Sequence, residues 1–172
     1  DLVLLTNEIK NKNGRIFFIG NGASAAFSNH MALDWSKNGG IQAISLSDSA
    51  LLTALSNDYS YEEAFVKFLE IKKINKNDIV VTISSSGNSL NVTNVLKYCK
   101  RNDIKIIGFS GLKPNNSTRA IANYSLYVPR KTYGFVESIH QVFLHLWLDK
   151  FMQIFEWDRK SFQNMSSKKF KL

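Results

Sequence analysis

The 172-residue chain has a single cysteine, Cys99, so it cannot form an internal disulfide. No apolar run approaches the roughly 20 residues that a membrane-spanning helix needs. No secretory signal is recognisable in a chain that begins at Asp1 rather than Met. We therefore expect a cytoplasmic protein with no membrane partner. Cys99 lies on the apolar side of a predicted helix, which favours a small buried side chain over a nucleophile.

Nucleotide-binding fingerprints are also absent. The chain has no G-x-x-x-x-G-K-[ST] sequence, and Gly20-Asn21-Gly22 lacks the third glycine of the G-x-G-x-x-G pattern. Lys and Arg exceed Asp and Glu by 22 to 14, but most of the lysines are scattered along the chain. Scattered lysines are typical of solvated faces, so we do not expect a nucleic-acid partner. The same positive charge would suit an anionic small substrate.

Short β-branched segments alternate with helical patterns through most of the chain. Strands are predicted at residues 15–19, 41–46, 79–83, 104–109 and 125–128. Helices are predicted at residues 1–11, 25–37, 50–55, 61–71, 90–98, 119–122 and 133–157. This alternation predicts an α/β fold, a doubly wound sandwich with a five-stranded parallel sheet. We expect a single domain over 1–172, with its core at about 14–157 and a loosely held tail at 158–172.

A serine-rich loop follows the third predicted strand, with the sequence Ser84-Ser85-Ser86-Gly87-Asn88-Ser89. It leads into a helix, whose N-terminal N–H groups and partial positive charge favour phosphate, and serine hydroxyls add further donors. An ordinary capped turn has a similar composition, so this loop alone leaves phosphate binding open. A second polar loop, Gly20 to Ser24, follows the first strand at the same sheet edge. Together the two loops favour a sugar-phosphate pocket.

The three histidines are His30, His140 and His145. His30 and Asp34 share one helix face, where they could bind a metal ion or form a half-buried polar pair. His140 and His145 diverge by roughly 140° around a regular helix and do not serve one site. Glu137 and His145 lie about 12 Å apart along that helix. For both to bind one ion, Glu137 must lie at or before the helix start, or the two must come from different subunits.

The last predicted helix is unusually apolar. His145 lies among leucines and a tryptophan, so a hydrogen-bonded core histidine is the alternative to a functional one. The helix carries more large apolar side chains than one sheet face can cover, which suits an oligomer interface. These side chains are Phe143, Leu144, Leu146, Leu148, Phe151 and Phe155.

As a set, these residues resemble the SIS (sugar isomerase) domain family, and within it the phosphoheptose isomerases. The resemblance covers Gly14 to about Phe151, in order and at matching spacing. The segments that carry it are Gly20 to Ser24, His30 to Asp34, Leu51 to Tyr59, Ser84 to Ser89 and Val136 to His145.

The resemblance implies a flavodoxin-like αβα sandwich, a homotetramer with active sites at subunit interfaces, and one zinc ion per subunit. The metal ligands it implies are His30, Asp34, Glu137 and His145. The phosphate contacts it implies are Ser84, Ser85, Ser86 and Ser89, with Ser24 nearby. The sugar contacts it implies are Asn21, Gly22, Ala23, Asn57 and Asp58, and Glu137 is also expected to touch the substrate.

The reaction that the resemblance implies is ketose–aldose isomerisation through an enediol. Asp34 would take a proton from carbon, His145 would move protons at the oxygens, and the metal would polarise the carbonyl. The expected conversion is sedoheptulose 7-phosphate to D-glycero-D-manno-heptose 7-phosphate, for lipopolysaccharide or capsule. The alternatives are a non-catalytic SIS protein, such as a sugar-phosphate sensor or a replication-initiator-associating protein, and a purely structural scaffold. Retention of Asp34 and His145 argues against the non-catalytic protein, and the density of polar residues at the carboxyl edge of the sheet argues against the scaffold.

Three positions depart from the usual family pattern. Asp34 stands where the pattern has Glu, and Asp is one methylene shorter. Glu137 stands where Gln is common, and a carboxylate there could tighten a zinc site. Ala23 replaces the second glycine of the first loop, so its backbone must adopt a negative φ or carry strain.

Overall fold

The computed structural model describes residues 1–154 of the chain. Its strands are β1 (Ile16–Gly20), β2 (Ala43–Ser45), β3 (Ile79–Ile83), β4 (Lys105–Gly111) and β5 (Tyr124–Val128). They form one sheet in the order β2-β1-β3-β4-β5, and every neighbouring pair is parallel. The predicted α/β class and the predicted five-stranded parallel sheet are confirmed.

The helices of the described residues alternate with these strands. They are α1 (Leu2–Asn11), α2 (Ala23–Asp34), α3 (Ser49–Asp58), α4 (Ala64–Ile71), α5 (Leu90–Arg101), α6 (Ser117–Ile121) and α7 (Tyr133–Met152). A π-helical turn, Trp35–Gly39, continues α2 without a break. Between residues 1 and 154, no helix has both the length and the apolar character to cross a membrane.

The end of α7 corrects the sequence prediction, which carried this helix to residue 157. The helix stops at Met152 because Gln153 adopts the left-handed conformation, with φ 59°. The N–H groups of Gln153 and Ile154 then bond back to the carbonyls of Lys150 and Asp149, which closes the last turn. Phe155 and the predicted tail at 158–172 lie outside the described residues.

Two apolar cores lie on opposite faces of the sheet. Side chains of β1 alternate between them, with Phe18 in the first core and Phe17 in the second. Helices α1, α2 and α7 cover the first face, and α3, α4 and α5 cover the second. β1 and β3 are buried along their whole length, as expected for central strands of a sheet covered on both sides.

Helix α5 packs most of its predicted apolar stripe into the second core. Cys99 is fully buried there, and burial raises the pKa of its thiol to about 12. The thiol therefore stays protonated at neutral pH, and its burial confirms the prediction of a small buried side chain. Leu90, by contrast, is 65% exposed at the start of the helix.

His140 ties α7 to the sheet. It is fully buried, its ring packs edge-on against Phe109, and its Nε2 lies 3.1 Å from the carbonyl oxygen of Ser110. Because a carbonyl only accepts, this contact assigns the proton of the neutral ring to Nε2. Burial lowers the pKa of His140 below its ordinary value, against the opposing effect of the Ser110 hydrogen bond.

The buried imidazole makes stability depend on pH. The unfolded chain takes up a proton at this position near pH 6.5, whereas the folded chain does so only at lower pH. Stability is therefore lost as the pH falls below about 6.5, by at most about 1.4 kcal/mol per pH unit for this group. We expect His140→Gln, which keeps a donor near Nε2 but cannot titrate, to show a flatter profile. Thermal unfolding between pH 8 and 5 measures the difference, and parallel profiles for the two proteins would contradict the assignment.

Candidate active site

Glycine at position 87 allows the serine loop, residues 84–89, to take its shape. Gly87 has a φ of 66°, and a Cβ at this position would collide with the side chain of Asn116. The Gly87 N–H donates to the carbonyl of Ser84 at 2.9 Å. The Gly87 carbonyl accepts from both the backbone N–H and the hydroxyl of Thr118, at 3.0 and 3.2 Å. Hydrogen bonds from Thr118 thus attach the loop, which directly follows β3, to the start of α6 as well.

The serine hydroxyls of this loop converge. Ser84 Oγ lies 3.5 Å from Ser86 Oγ and 3.5 Å from Ser89 Oγ. Ser85 Oγ is buried and has no hydrogen-bond partner among the described residues. Hydroxyls grouped at the N-terminus of α5 form a donor-rich concavity of the kind that binds phosphate oxygens.

These hydroxyls line an open pocket of about 140 Å³. Its lining residues are Asn21, Ser24, Ile83, Ser84, Ser85, Ser86, Ser89, Tyr133 and Glu137. Pockets that enclose a whole small ligand usually measure roughly 300–1,000 Å³. This pocket therefore accommodates one end of a substrate, and the remainder must extend beyond the lining residues. Glu137 is the one charged residue in the lining, so an anion there would rely on hydroxyl and N–H donors.

The first loop reaches the same pocket through Asn21 and Ser24. Gly22 takes the positive φ, 57°, and Ala23 begins α2 with an ordinary helical backbone. The strain that an alanine in place of glycine could have caused at position 23 is therefore absent.

A second polar group lies between α2 and α7. His30, Asp34 and His145 each offer one ligand atom, and these three atoms lie within 4.8 Å of one another. His30 Nε2 is 3.3 Å from Asp34 Oδ2, and the rings of His30 and His145 are 5.1 Å apart. All three side chains are at least partly exposed. Two imidazoles and one carboxylate, with a fourth position left open, form a donor set that fits a catalytic zinc ion.

Glu137 is absent from this group and lines the serine-loop pocket instead. It precedes His145 by eight positions on the continuous helix α7, which is about 12 Å along the axis. The helix begins at Tyr133, so Glu137 lies within it and not at or before its start. Glu137 and His145 of one chain therefore cannot both bind the same ion, and only the option of two different subunits is left. Within one described chain, three of the four expected ligands come together and the fourth does not.

Four expected sugar contacts lie outside the pocket lining, namely Gly22, Ala23, Asn57 and Asp58. Asn57 and Asp58 are exposed at the end of α3, where the Asn57 amide donates to the Asp58 carboxylate at 3.1 Å. Their roles remain predictions. His140, by contrast, is buried on the side of α7 that faces away from His30, Asp34 and His145. The helical spacing predicted that His140 and His145 do not serve one site.

Sequence reasoning missed several residues of the site. Tyr133 lines the pocket, and Tyr61 and Asn91 bond to Asn21. Thr118 donates to the Gly87 carbonyl, and the side chain of Asn116 fills the space beside Gly87. Asn91 carried a usable signal, because it follows the serine loop by two residues at a helix start. Tyr61 and Asn116 carried none, since each reaches the site from a separate segment.

Comparison with known proteins identifies the family. Residues 2–111 match the model of the SIS domain. The chain is 32% identical over 152 residues to the phosphoheptose isomerase of Helicobacter pylori strain Shi470, covering 85% of this chain and 78% of that protein. It is 34% identical over 141 residues to the phosphoheptose isomerase of Aliarcobacter butzleri strain RM4018, covering 78% and 74% of the two chains.

A solved structure shares the fold. The phosphoheptose isomerase GmhA from Neisseria gonorrhoeae superposes with a TM-score of 0.80 and 28% sequence identity, over 88% of this chain and 83% of that one. The chain therefore belongs to the SIS domain family, in its phosphoheptose isomerase-like branch, and is an isomerase.

Proposed function

We propose that the chain interconverts the ketose and aldose forms of a sugar phosphate. The observation that carries the proposal is a donor-rich pocket at the serine loop combined with the His30, Asp34 and His145 group on the adjoining helices. The relatives named as phosphoheptose isomerases favour sedoheptulose 7-phosphate as the ketose and D-glycero-D-manno-heptose 7-phosphate as the aldose. We propose that it works in the cytoplasm and supplies heptose for a surface polysaccharide.

The serine loop anchors the phosphate. Its hydroxyls and the N-terminal N–H groups of α5 donate to phosphate oxygens and fix one end of the open-chain sugar. Because these interactions are present before and after the reaction, they contribute to binding and to register rather than to the chemical step.

Removing one hydroxyl of the loop tests this role. Ser86→Ala should raise KM for the sugar phosphate about tenfold or more, since a hydrogen bond to a charged group contributes about 1.5–3 kcal/mol. The value of kcat should change little, and steady-state kinetics separates the two. Ser125→Ala, on an exposed position of β5, is the matched control. A fall in kcat at unchanged KM would contradict an anchoring role.

Asp34 and His145 supply the proton transfers. Asp34 Oδ2 faces His30, which leaves Oδ1 to take a proton from the carbon beside the carbonyl and return it to the neighbouring carbon. His145 has the chemistry to exchange protons at the two oxygens that change between carbonyl and hydroxyl. Both side chains are half-buried, which allows a substrate to reach them.

The same group would hold zinc. His30, Asp34 and His145 are the residues of this chain that fit the ion, which would polarise the substrate carbonyl when bound. Asp34 is one methylene shorter than the Glu usual at this position, so its carboxylate would reach less far toward the ion and the substrate.

Conservative changes in this group should abolish turnover without unfolding the protein. We expect Asp34→Asn and His145→Ala to lower kcat on the order of 100-fold or more, because general acid–base groups contribute that much. An isomerase assay over C5 to C7 ketose phosphates measures the loss of kcat. Lys97→Ala, at an exposed position of α5, is the control. Metal analysis of the same samples should show less zinc in both variants. Full activity of the protein after treatment with a chelator would contradict the proposal that the reaction requires a bound zinc ion.

The position of Glu137 supports assembly of the site from more than one copy. Since Glu137 and His145 of one chain lie too far apart for one ion, we propose that Glu137 of a second copy completes the ligand set in a homotetramer. Helix α7 also exposes a row of large apolar side chains, which an interface would cover. They are Val142 (50%), Phe143 (44%) and Leu146 (50%).

A charge placed in this row should separate the copies. Leu146→Glu should shift the sedimentation profile from a tetramer toward smaller species and lower zinc content in parallel. Lys97→Glu, on an exposed position of α5 and outside this row, controls for a change of charge. A wild-type protein that sediments as a monomer and still binds zinc would contradict the shared site.

A further inference from the structure

The amide of Asn21 is held by two residues to which the proposed reaction gives no role. Asn21 Nδ2 donates to Asn91 Oδ1 at 2.9 Å, and Asn91 Nδ2 donates back to Asn21 Oδ1 at 3.1 Å. The hydroxyl of Tyr61 lies 2.9 Å from the same oxygen, Asn21 Oδ1. These contacts join three separate segments, namely the loop after β1, the first turn of α5 and the segment before α4.

The backbone fixes the direction of this network. The N–H of Val92 donates to Asn91 Oδ1 at 2.9 Å, so this atom of Asn91 must be the oxygen. The other atom of the Asn91 amide is then the donor, and the atom of Asn21 that it faces is the acceptor. Asn91 is 3% exposed, which leaves its amide little freedom to rotate.

The count of hydrogen-bonding positions on Asn21 follows from this direction. An amide oxygen accepts two hydrogen bonds and an amide nitrogen donates two. Asn21 Oδ1 already accepts from Tyr61 and Asn91, whereas Asn21 Nδ2 uses one of its two hydrogens. Asn21 also lines the serine-loop pocket. Its amide therefore has one N–H available for a ligand and no free acceptor position.

We propose that Tyr61 and Asn91 are positioning residues that make Asn21 a hydrogen-bond donor to an oxygen of the substrate's sugar chain. The inference rests on the proposed function for the identity of the substrate. The converging hydroxyls of Ser84, Ser86 and Ser89 already supply hydrogen-bond donors for the phosphate group of the substrate. Asn21 approaches the pocket from the first loop, so its N–H is assigned to the sugar rather than to the phosphate.

Tyr61→Phe removes only the hydroxyl that fills one acceptor position. Asn21 Oδ1 then has a free acceptor position and Asn91 alone holds the amide, so KM for the sugar phosphate should rise about three- to tenfold, the range expected for one hydrogen bond. The value of kcat should stay within about twofold, and inhibition by inorganic phosphate should be unchanged. Tyr59→Phe is the matched control, because Tyr59 is exposed at 59% and two residues away.

Asn91→Asp provides a second, independent variant. The new carboxylate still accepts from Val92 and from Asn21 Nδ2 but cannot donate to Asn21 Oδ1. Two acceptors then face each other, and Asn91 no longer selects one orientation of the Asn21 amide. We expect a larger rise in KM than for Tyr61→Phe, with a melting temperature measured alongside to report any loss of folding. A residue that only supports the fold would lower the melting temperature of both variants and leave KM unchanged.

Two results would overturn the inference. One is a Tyr61→Phe variant with the same KM as Tyr59→Phe. The other is an equal loss of affinity for inorganic phosphate and sugar phosphate, which would assign the network to the phosphate end. Failure of the proposed function is distinguishable, because the wild type would then lack isomerase activity. In that case calorimetric binding of the sugar phosphate to wild type and Tyr61→Phe still tests the network.

Discussion

The pairing of β1 with β3 is the constraint on which the site depends. The two strands are parallel and in register, so Gly20, the last residue of β1, lies beside Ile83, the last residue of β3. The chain therefore leaves both strands at the same level, and the two polar loops emerge side by side. A register shift of one residue would also turn every side chain of a strand to the opposite core. The apolar packing on both faces of the sheet thus fixes the register of β1 and β3, and with it the relative position of the two polar loops.

The helices that follow these loops carry the site away from the sheet edge. Helix α2 starts at the pocket with Ser24 and reaches His30 and Asp34 about two to three turns later, while α7 passes from Glu137 to His145 beside it. One end of the site is therefore rich in neutral donors, and the other end holds two imidazoles and a carboxylate. An open-chain sugar phosphate has the same polarity, with an anion at one end and a carbonyl at the other. This correspondence is the physical basis of the proposed function.

The sequence predicted those parts of the fold that depend on local patterns. The strand at 79–83 was located to the residue because its β-branched run is bounded by Asp78 and Ser84. The α7 end was wrong because apolar residues continue past Met152, and only the left-handed backbone of Gln153 ends the helix. Within the site, the His30–Asp34 pair follows from helical spacing, but its contact with His145 does not. That contact requires α2 and α7 to lie side by side, which depends on the handedness of the crossovers and on packing. The same holds for Tyr61, whose partner Asn21 is 40 residues away along the chain.

The π-helical turn Trp35–Gly39 begins directly after Asp34. Such a turn accommodates one residue more than the α-helix it continues, and each added residue rotates the downstream part of a helix by about 100°. His30 and Asp34 precede it, so a length change of one residue in this turn leaves their spacing intact. Insertion or deletion of one residue between His30 and Asp34 would instead move the Asp34 carboxylate to another face of the helix. The ring of Trp35 packs at a tilt against that of Trp147, with the ring centroids 4.6 Å apart. Trp35 then marks the point beyond which the turn can absorb variation in chain length. A change of chain length after this tryptophan therefore leaves the relative placement of His30 and Asp34 unchanged.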